Sequence, residues 1–313
     1  MVVTVVPLPQ KHLKGRLRGR FSYLFELCHT LKMVLKDRRY FYFKQSGSFT
    51  GLREDYPLPH SIEIETINRC NSTCNFCPVN RFSDPRSLNR MPETLFHKII
   101  DDLAAHDFSG NLSLFSNNEP FLDKRIFDFA AYARVTLPRA IISIFTNGQA
   151  LNIAKVERIA RNLDFLRINN YGHAPALHPN IARIVEHLDA ERPDLAAKVH
   201  VYRRLLTEFN TTRGGNAPNR KRFSATYRSR CAYPFYQMVV RPDGKLSLCC
   251  NDALGQETLG DLSVQSISAA WNDSRRRIVQ GLMMQGRDKL DLCRHCDQQF
   301  VAKPARVASR DFN

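Results

Sequence analysis

The sequence lacks any long apolar run. A helix needs about 20 consecutive apolar residues to cross a bilayer, and no stretch of the 313 residues approaches that length. The opening apolar residues Met1–Val6 are too few for the core of a signal peptide, and Pro7 follows them directly. These features argue against a membrane-spanning or a secreted protein, so we expect a cytoplasmic one.

Acidic residues are also scarce. Asp and Glu number 30 against 46 Lys and Arg, which gives a formal net charge of +16. Residues 1–59 hold eleven Lys or Arg against four Asp or Glu, and a second basic run covers 209–230. Such patches favour an anionic partner, which could be a phosphate-bearing substrate, an acidic membrane surface or nucleic acid. No recognisable RNA-binding module accompanies the charge, so we expect no nucleic-acid partner.

Cysteine is abundant, at nine residues, yet its densest cluster stops at three. Cys70, Cys74 and Cys77 follow the strand-like run Ser61–Thr66 within one short loop. Such a loop can point three thiolates at one metal centre, but it cannot easily supply a fourth ligand. Iron–sulfur clusters and structural zinc sites normally take four protein ligands. The pattern therefore indicates a cluster with one iron open to a non-protein ligand, with a zinc loop or three unrelated thiols as the alternative.

The spacing Cys-x3-Cys-x2-Cys, with Phe76 just before the third cysteine, resembles the signature of the radical S-adenosylmethionine (SAM) enzymes. The resemblance implies that Cys70, Cys74 and Cys77 hold a [4Fe–4S] cluster whose open iron is chelated by SAM. It also implies that the reduced cluster cleaves SAM to methionine and a 5′-deoxyadenosyl radical. Phe76 would then lie near the adenine.

From Ser61 onward the chain alternates strand-like and helix-like segments, which is the pattern of a parallel α/β fold. The predicted strands are Ser61–Thr66, Leu112–Phe115, Ala140–Phe145, Phe165–Ile168 and Lys198–Leu206. The predicted helices are Pro92–His106, Asp123–Val135, Ile153–Asn162 and Ile181–Leu188. We therefore predict an α/β fold with a partial, open TIM-like βα barrel of five or six strands, as the family resemblance also implies.

Two strand ends carry polar loops that resemble the SAM-binding loops of the family. Asn117-Asn118-Glu119-Pro120 follows the second strand, where the family has Gly-Gly-Glu-Pro contacting the SAM amino group. Asn tolerates positive φ, so we expect the turn to survive the replacement of both glycines. Thr146-Asn147-Gly148 follows the third strand and resembles the ribose-side loop. Since ligands bind at the carboxyl ends of parallel strands, both loops belong to one predicted site, with Arg203 or Arg204 as a candidate partner of the SAM carboxylate.

The C-terminal part of the chain contains a second set of cysteines. Cys231 is followed by a predicted hairpin around Gly244, a helix from Ser266 to Met284, and a closing Cys-x2-Cys pair. This arrangement resembles the auxiliary-cluster modules called SPASM and twitch. The resemblance implies a second [4Fe–4S] cluster, and its predicted ligands are Cys231, Cys249, Cys293 and Cys296. Cys250 could replace Cys249, and a zinc site on the same cysteines is the alternative.

The predicted organisation has five parts. A basic N-terminal helical extension covers 1–59, the barrel 60–207, a linker 208–230, the auxiliary-cluster module of a hairpin and a helix 231–300, and a tail 301–313. We predict a helix over 11–37, with an apolar stripe that includes Cys28. We expect this stripe either to dock on the main domain or to rest on an anionic membrane.

The expected function is that of a radical SAM oxidoreductase with two clusters and SAM. A fully ligated second cluster has no vacant iron, so we expect it to transfer electrons while the enzyme dehydrogenates or epimerises a hydroxylated small molecule. The expected substrate is a sugar or cyclitol, and anionic or phosphorylated forms are included. The expected electron donor is a flavodoxin or ferredoxin. The alternatives are a peptide-modifying maturase and a non-catalytic iron–sulfur or zinc protein. The sequence singles out no catalytic residue.

Overall fold

A computed structural model describes residues 2–7, 58–174, 176–220 and 230–298. The predicted helix over 11–37, with Cys28, lies outside the described residues. So do most of the predicted linker's second half and the predicted tail. In the part of the chain that the structure describes, no helix has the length and apolarity needed to cross a bilayer.

Within the described residues, the framework is one unclosed sheet of nine strands. The strands are β1 Thr4–Val6, β2 Ser61–Ile64, β3 Asn111–Ser113, β4 Ile141–Thr146, β5 Phe165–Gly172, β6 Val199–Leu205, β7 Gln237–Val240, β8 Lys245–Ser247 and β9 Thr258–Asp261. Their spatial order is β1-β6-β5-β4-β3-β2-β7-β8-β9. All pairs from β1 to β7 are parallel, and only β7-β8 and β8-β9 are antiparallel. The prediction of an open parallel βα barrel is confirmed.

The first five α-helices connect parallel strands and cover one face of the sheet, whereas the last three follow β9. The helices are α1 Glu93–Ala105, α2 Ile126–Thr136, α3 Ile153–Ala160, α4 Pro179–Glu191, α5 Pro193–Ala196, α6 Ile267–Trp271, α7 Ser274–Gln285 and α8 Asp291–Arg294. The apolar stripe of α1, which includes Phe96 and Ile100, is fully buried against the sheet. This burial of helix stripes on one face leaves the other face of the strands for a site.

Strand β2 shows how the sequence sorts side chains between the two faces. Ile62 and Ile64 are 0% exposed and belong to the apolar core. Side chains alternate along a strand, so Glu63, and Glu65 just beyond the strand end, point away from that core. The acidic residues of this apolar–acidic alternation therefore face the inside of the barrel.

Two short strands extend the sheet beyond the predicted set. Strand β1 pairs in parallel with β6, with Val5 opposite Val201, and β9 pairs antiparallel with β8. Three or four residues are too few to show a hydrophobic period, which explains why the sequence pattern did not reveal either strand.

The predicted hairpin is present, and it is continuous with the barrel sheet. Strand β7 pairs in parallel with β2 and antiparallel with β8. Gly244 in the connecting turn has φ +82°, a conformation that favours glycine. Because β8 runs antiparallel to β7, the residues that follow β8 return toward the start of β7, where the Cys250 N–H donates to the Gln237 side chain at 3.1 Å.

The long helix expected from Ser266 to Met284 is two helices. Ser266 caps α6 by accepting from the Ala269 N–H at 3.1 Å, and Asp273 caps α7 by accepting from the Arg275 N–H at 2.8 Å. A second N-cap residue seven positions after the first begins a new helix rather than continuing the old one.

Candidate active site

The three-cysteine loop lies at the carboxyl end of β2, as predicted. Cys74 is buried, whereas Cys70 and Cys77 are half-buried. The Asn80 side chain fixes the loop because its amide donates to the Cys74 and Cys77 carbonyls at 3.0 and 2.9 Å. All three thiols line a cavity of about 380 Å³, so the loop leaves one side of its cysteines open to a ligand.

Burial controls the protonation of this loop. Removal from water raises the pKa of the Cys70 thiol well above its usual range, and it raises the pKa of Cys74 to about 12. Both groups are therefore thiols at neutral pH in the bare protein, and binding of a metal centre has to release their protons. A cationic iron centre supplies the charge that stabilises the thiolates.

Glu119 joins the two strand-end loops behind the cavity. The carboxylate is 1% exposed and accepts from the Thr146 hydroxyl at 2.7 Å, the Asn147 N–H at 2.8 Å and the Phe121 N–H at 3.2 Å. Burial raises the pKa of Glu119 to about 7. The amide of Asn147 donates to Asn71 at 2.7 Å, which ties the same network to the cysteine loop. The residues that the structure brings to the cavity wall include Asn117, Asn118, Glu119, Thr146 and Asn147.

The asparagine pair builds its turn differently from our expectation. Among the described residues, positive φ outside glycine occurs only at Asp107 and Arg213, so neither asparagine uses it. Instead, Asn118 Oδ1 accepts from the Ser116 N–H at 3.0 Å, and Glu65 accepts from the Asn117 N–H at 2.5 Å. The expectation of positive φ was wrong because these side-chain acceptors hold the turn in another conformation.

Two aromatic rings border the cavity beside the cysteine loop. Phe76 packs on Tyr171, with 5.7 Å between ring centroids, and both rings line the cavity. Arg204 lies over the Tyr171 ring at 5.6 Å and pairs with Glu208. Arg203, on the same strand β6, is not among the cavity's lining residues. The sequence pattern did not reveal Tyr171, because its position depends on the length of β5.

Another part of the cavity wall is polar, and the sequence analysis did not predict its residues. Arg213 and Cys250 line it, and the Arg213 guanidinium donates to Asn117. Glu63 lies beside them, where Gln237 donates to its carboxylate at 2.6 Å. Burial raises the pKa of Glu63 to about 7. The alternation of acids along β2 was the one available signal for Glu63, and no spacing pointed to Arg213.

The second cysteine set surrounds a separate, enclosed cavity. Its four thiols are each between 6% and 8% exposed, and they belong to Cys231, Cys249, Cys293 and Cys296. The rest of the lining is mostly apolar and includes one guanidinium, and it belongs to Tyr233, Pro234, Leu248, Asn251, Met283, Arg287 and Leu292. Burial, with the neighbouring thiols, raises the pKa of Cys249 and of Cys293 well above the usual range. Four thiols in a dry pocket with a nearby positive charge fit a fully cysteine-ligated, negatively charged cluster.

The structure separates the adjacent cysteines 249 and 250. Cys249 faces the enclosed cavity, and Cys250 faces the large one. Tyr233 and Asn251 line both cavities, so they form part of the partition between them. Within the described ranges, His, Cys, Asp and Glu side chains form no group of three or more at the spacing of a single bound ion.

Two family models match this chain. The model for the radical SAM superfamily matches residues 64–183, which contain the cysteine loop and the strand-end loops. The model for the SPASM iron–sulfur cluster-binding domain matches residues 231–297, which contain the second cysteine set.

The relatives agree with these matches. The chain is 27% identical over 241 residues to the S-adenosyl-L-methionine-dependent 2-deoxy-scyllo-inosamine dehydrogenase of Niallia circulans, covering 77% of this chain and 93% of that protein. Among solved structures, it is similar to BtrN in complex with AdoMet and 2-DOIA, with a TM-score of 0.65 and 24% identity over 78% of this chain and 98% of that one. A more distant likeness is native anSMEcpe with bound AdoMet, with a TM-score of 0.52 and 12% identity over 76% and 88%.

The two solved structures support the fold, while the two family models and the cavities identify the cofactors. Those cofactors are two [4Fe–4S] clusters and SAM. The chain therefore carries a radical SAM domain at residues 64–183 and a C-terminal SPASM-type iron–sulfur cluster-binding domain at residues 231–297, and it is a radical SAM oxidoreductase.

Proposed function

We propose that this enzyme dehydrogenates a secondary alcohol of a cyclitol or a similar hydroxylated small molecule. One observation carries the proposal: a single cavity is lined both by the three-cysteine loop and by Tyr233 and Asn251, which also line the pocket of the second thiol set. A substrate between them would lie next to both the site of hydrogen removal and the site of electron removal. The 27% identical relative is a dehydrogenase of 2-deoxy-scyllo-inosamine, an aminocyclitol.

We assign the ligands from the two cavities. Cys70, Cys74 and Cys77 would hold the cluster that binds SAM, and the second thiol set would hold the auxiliary cluster with Cys249 rather than Cys250. The SAM contacts would come from lining residues, namely Phe76, Asn117, Asn118, Glu119, Thr146 and Asn147. A contact with Arg203 would need SAM to extend beyond the lining of this cavity.

The chain itself would handle the proton of the oxidation. When bound and reduced, the SAM-binding cluster supplies the radical that removes a hydrogen atom from the substrate. Loss of one further electron and one proton then completes the conversion of the alcohol to a ketone. Glu63, which lies behind the lining residues Ser116, Arg213 and Cys250, is our candidate for the proton acceptor, since its pKa of about 7 suits a base at neutral pH.

The lining of the cavity favours a hydroxylated ring without phosphate groups. Arg213 donates to Asn117, and Arg220 pairs with Asp297 at 2.5 Å, so both described arginines of the 209–220 basic run already contact polar groups. Amide side chains line much of the cavity instead, and they belong to Asn117, Asn118, Asn147, Asn169, Asn210 and Asn251. Amides both donate to and accept from hydroxyl groups, which suits a hydroxylated ring.

The test is turnover of a cyclitol panel by anaerobically reduced protein with SAM. We expect 5′-deoxyadenosine and a ketone in equal amounts from 2-deoxy-scyllo-inosamine or a close relative. Formation of 5′-deoxyadenosine without an oxidised product from any cyclitol or sugar would contradict the proposed reaction. Co-purification of a small peptide that is modified under these conditions would favour a peptide maturase.

Inversion of a carbinol centre is the second candidate, and one observation favours it. The Cys250 thiol lines the cavity, and a carbon radical can take a hydrogen atom from a thiol. The resulting thiyl radical would need one electron and one proton to return to the thiol, so this route consumes an extra electron from a one-electron donor. In D₂O, inversion would place deuterium on the substrate carbon in the wild type and not in Cys250→Ser, whereas pure oxidation would place none in either.

We also infer the partners and the compartment. A flavodoxin or ferredoxin would supply single electrons, and the reducing cytoplasm would keep the thiols available for cluster assembly. The basic segment 11–37 is the candidate for a peripheral contact with an anionic membrane. Sedimentation with anionic but not neutral vesicles would support that contact.

A further inference from the structure

Arg287 is a buried cation in the wall of the enclosed cavity. It lies directly after α7 and is 1% exposed. The same cavity is lined by the four thiols of the second cysteine set. An arginine is rarely buried without a specific reason, because removing its charge from water is costly.

Three backbone carbonyls are among the groups that hold the guanidinium in place. Arg287 Nη1 donates to the carbonyls of Cys296 at 2.7 Å and Gln298 at 3.1 Å, and Nη2 donates to the carbonyl of Arg230 at 3.1 Å. Carbonyl groups fix the position of a guanidinium without cancelling its charge. The nearby carboxylate of Asp297 is itself paired with Arg220 at 2.5 Å and accepts from the Thr212 N–H at 2.7 Å.

We propose that Arg287 is a positioning residue that raises the reduction potential of the auxiliary cluster and so makes this cluster a better acceptor of the substrate electron. The inference deepens the proposed function and rests on it. A cluster with four thiolates is negatively charged, and reduction adds another negative charge. A fixed positive charge in a buried, low-dielectric wall stabilises the reduced form more than the oxidised form.

The experiment measures the midpoint potential of the auxiliary cluster alone. The full chain carrying Cys70→Ala, Cys74→Ala and Cys77→Ala is reconstituted anaerobically, and reduction is followed by electron paramagnetic resonance at fixed potentials. Arg287→Gln and Arg287→Met remove the charge, and Arg287→Lys keeps it but changes the hydrogen bonds. Arg276→Gln is the matched control, since Arg276 is also fully buried but does not line the cavity.

We expect Arg287→Gln and Arg287→Met to lower the reduced-to-oxidised ratio at a fixed potential by about tenfold or more, which is about 59 mV for a one-electron couple. The lysine variant and Arg276→Gln should stay close to the parent. An unchanged potential in the neutral variants, or an equal fall in Arg287→Lys, would overturn the proposal.

Loss of the cluster separates the remaining outcomes. If both neutral variants lose the cluster while Arg287→Lys keeps it, the charge is needed for assembly rather than for the potential, and the proposal is overturned. If the parent itself holds no cluster, the assignment of the second cysteine set fails, and the proposed function fails with it. If the neutral variants assemble the cluster and its reduction potential is unchanged, the role of Arg287 is overturned while the proposed function stands.

Discussion

The two cysteine regions differ in what surrounds their thiols. The loop of Cys70, Cys74 and Cys77 faces a cavity of about 380 Å³ with a polar far wall, whereas the second set lies in an enclosed pocket with apolar sides. The first region has an open side on which a further ligand fits. The second region is enclosed and has no such open side. The difference assigns binding and radical chemistry to the first region and electron transfer to the second.

The sharpest test of this contrast uses the adjacent pair Cys249 and Cys250. Because the two thiols face different cavities, Cys249→Ser should lose the auxiliary cluster, about four irons per chain, while Cys250→Ser keeps both clusters. Iron and sulfide analysis after anaerobic reconstitution checks this. Equal loss of iron in both variants would contradict the assignment of Cys249 and Cys250 to different cavities.

Glu63→Gln tests the carboxylate behind the lining residues Ser116, Arg213 and Cys250 of the large cavity. We expect the yield of oxidised product to fall by roughly 10²- to 10⁴-fold, because a general base contributes that much. SAM cleavage and both clusters should persist, since Glu63 does not line the enclosed pocket. Product and 5′-deoxyadenosine are measured in parallel, and an equal fall in both would assign Glu63 to SAM binding instead.

The pH profile of the wild type provides a related test. The pKa of Glu63 is raised to about 7 by burial, so the carboxylate is ionised above this pH and protonated below it. Product formation should therefore rise with pH through about 7 and reach a plateau. Glu63→Gln should lack this rise, and a profile that is identical in the two proteins would exclude Glu63 as the titrating base.

The carboxylate that joins the two SAM-side loops should matter for binding. Glu119→Gln replaces an acceptor of three hydrogen bonds, so one or two of them are lost at a buried site, at about 1–3 kcal/mol. We expect the affinity for SAM to fall by about tenfold or more, measured by equilibrium binding. The auxiliary cluster should be unaffected, which its spectrum in the same protein checks.

The smallest expected effect concerns the asparagine turn. Asn118→Gly restores the family's residue but removes the bond that Asn118 accepts from the Ser116 N–H. Because Asn118 does not have positive φ, glycine relieves no strain, and we expect a loss of about 1 kcal/mol with SAM cleavage retained. Thermal unfolding measures this loss, and a more stable variant would contradict it.

Spacing along the chain was enough to predict the features that depend on local sequence. The three-cysteine loop, the hairpin around Gly244 and the five parallel strands from β2 to β6 follow from short-range patterns, and the structure has them. The grouping of Cys249 with Cys231 and the Cys-x2-Cys pair also agrees with the expected set. Whether these thiols ligate a cluster stays a prediction.

The features that the sequence could not reveal depend on contacts between distant segments. Cys250 reaches the cavity wall beside β7, which pairs with β2 although Glu63 and Gln237 are 174 positions apart, and Arg213 reaches it through its contact with Asn117. Strand β1 is visible only through its pairing with β6. The positive φ expected at Asn117 and Asn118 failed because Glu65 and a local amide acceptor, both set by the fold, hold that turn.

The most direct test of two unlike cysteine regions is the iron and sulfide content of three proteins after anaerobic reconstitution. We predict about eight irons per chain in the wild type, about four in the Cys70/Cys74/Cys77→Ala variant and about four in a Cys293/Cys296→Ala variant, with SAM cleavage lost in the first variant. About four irons in the wild type and none in the first variant would contradict the second cluster, and the electron-transfer role of the enclosed pocket would fall with it.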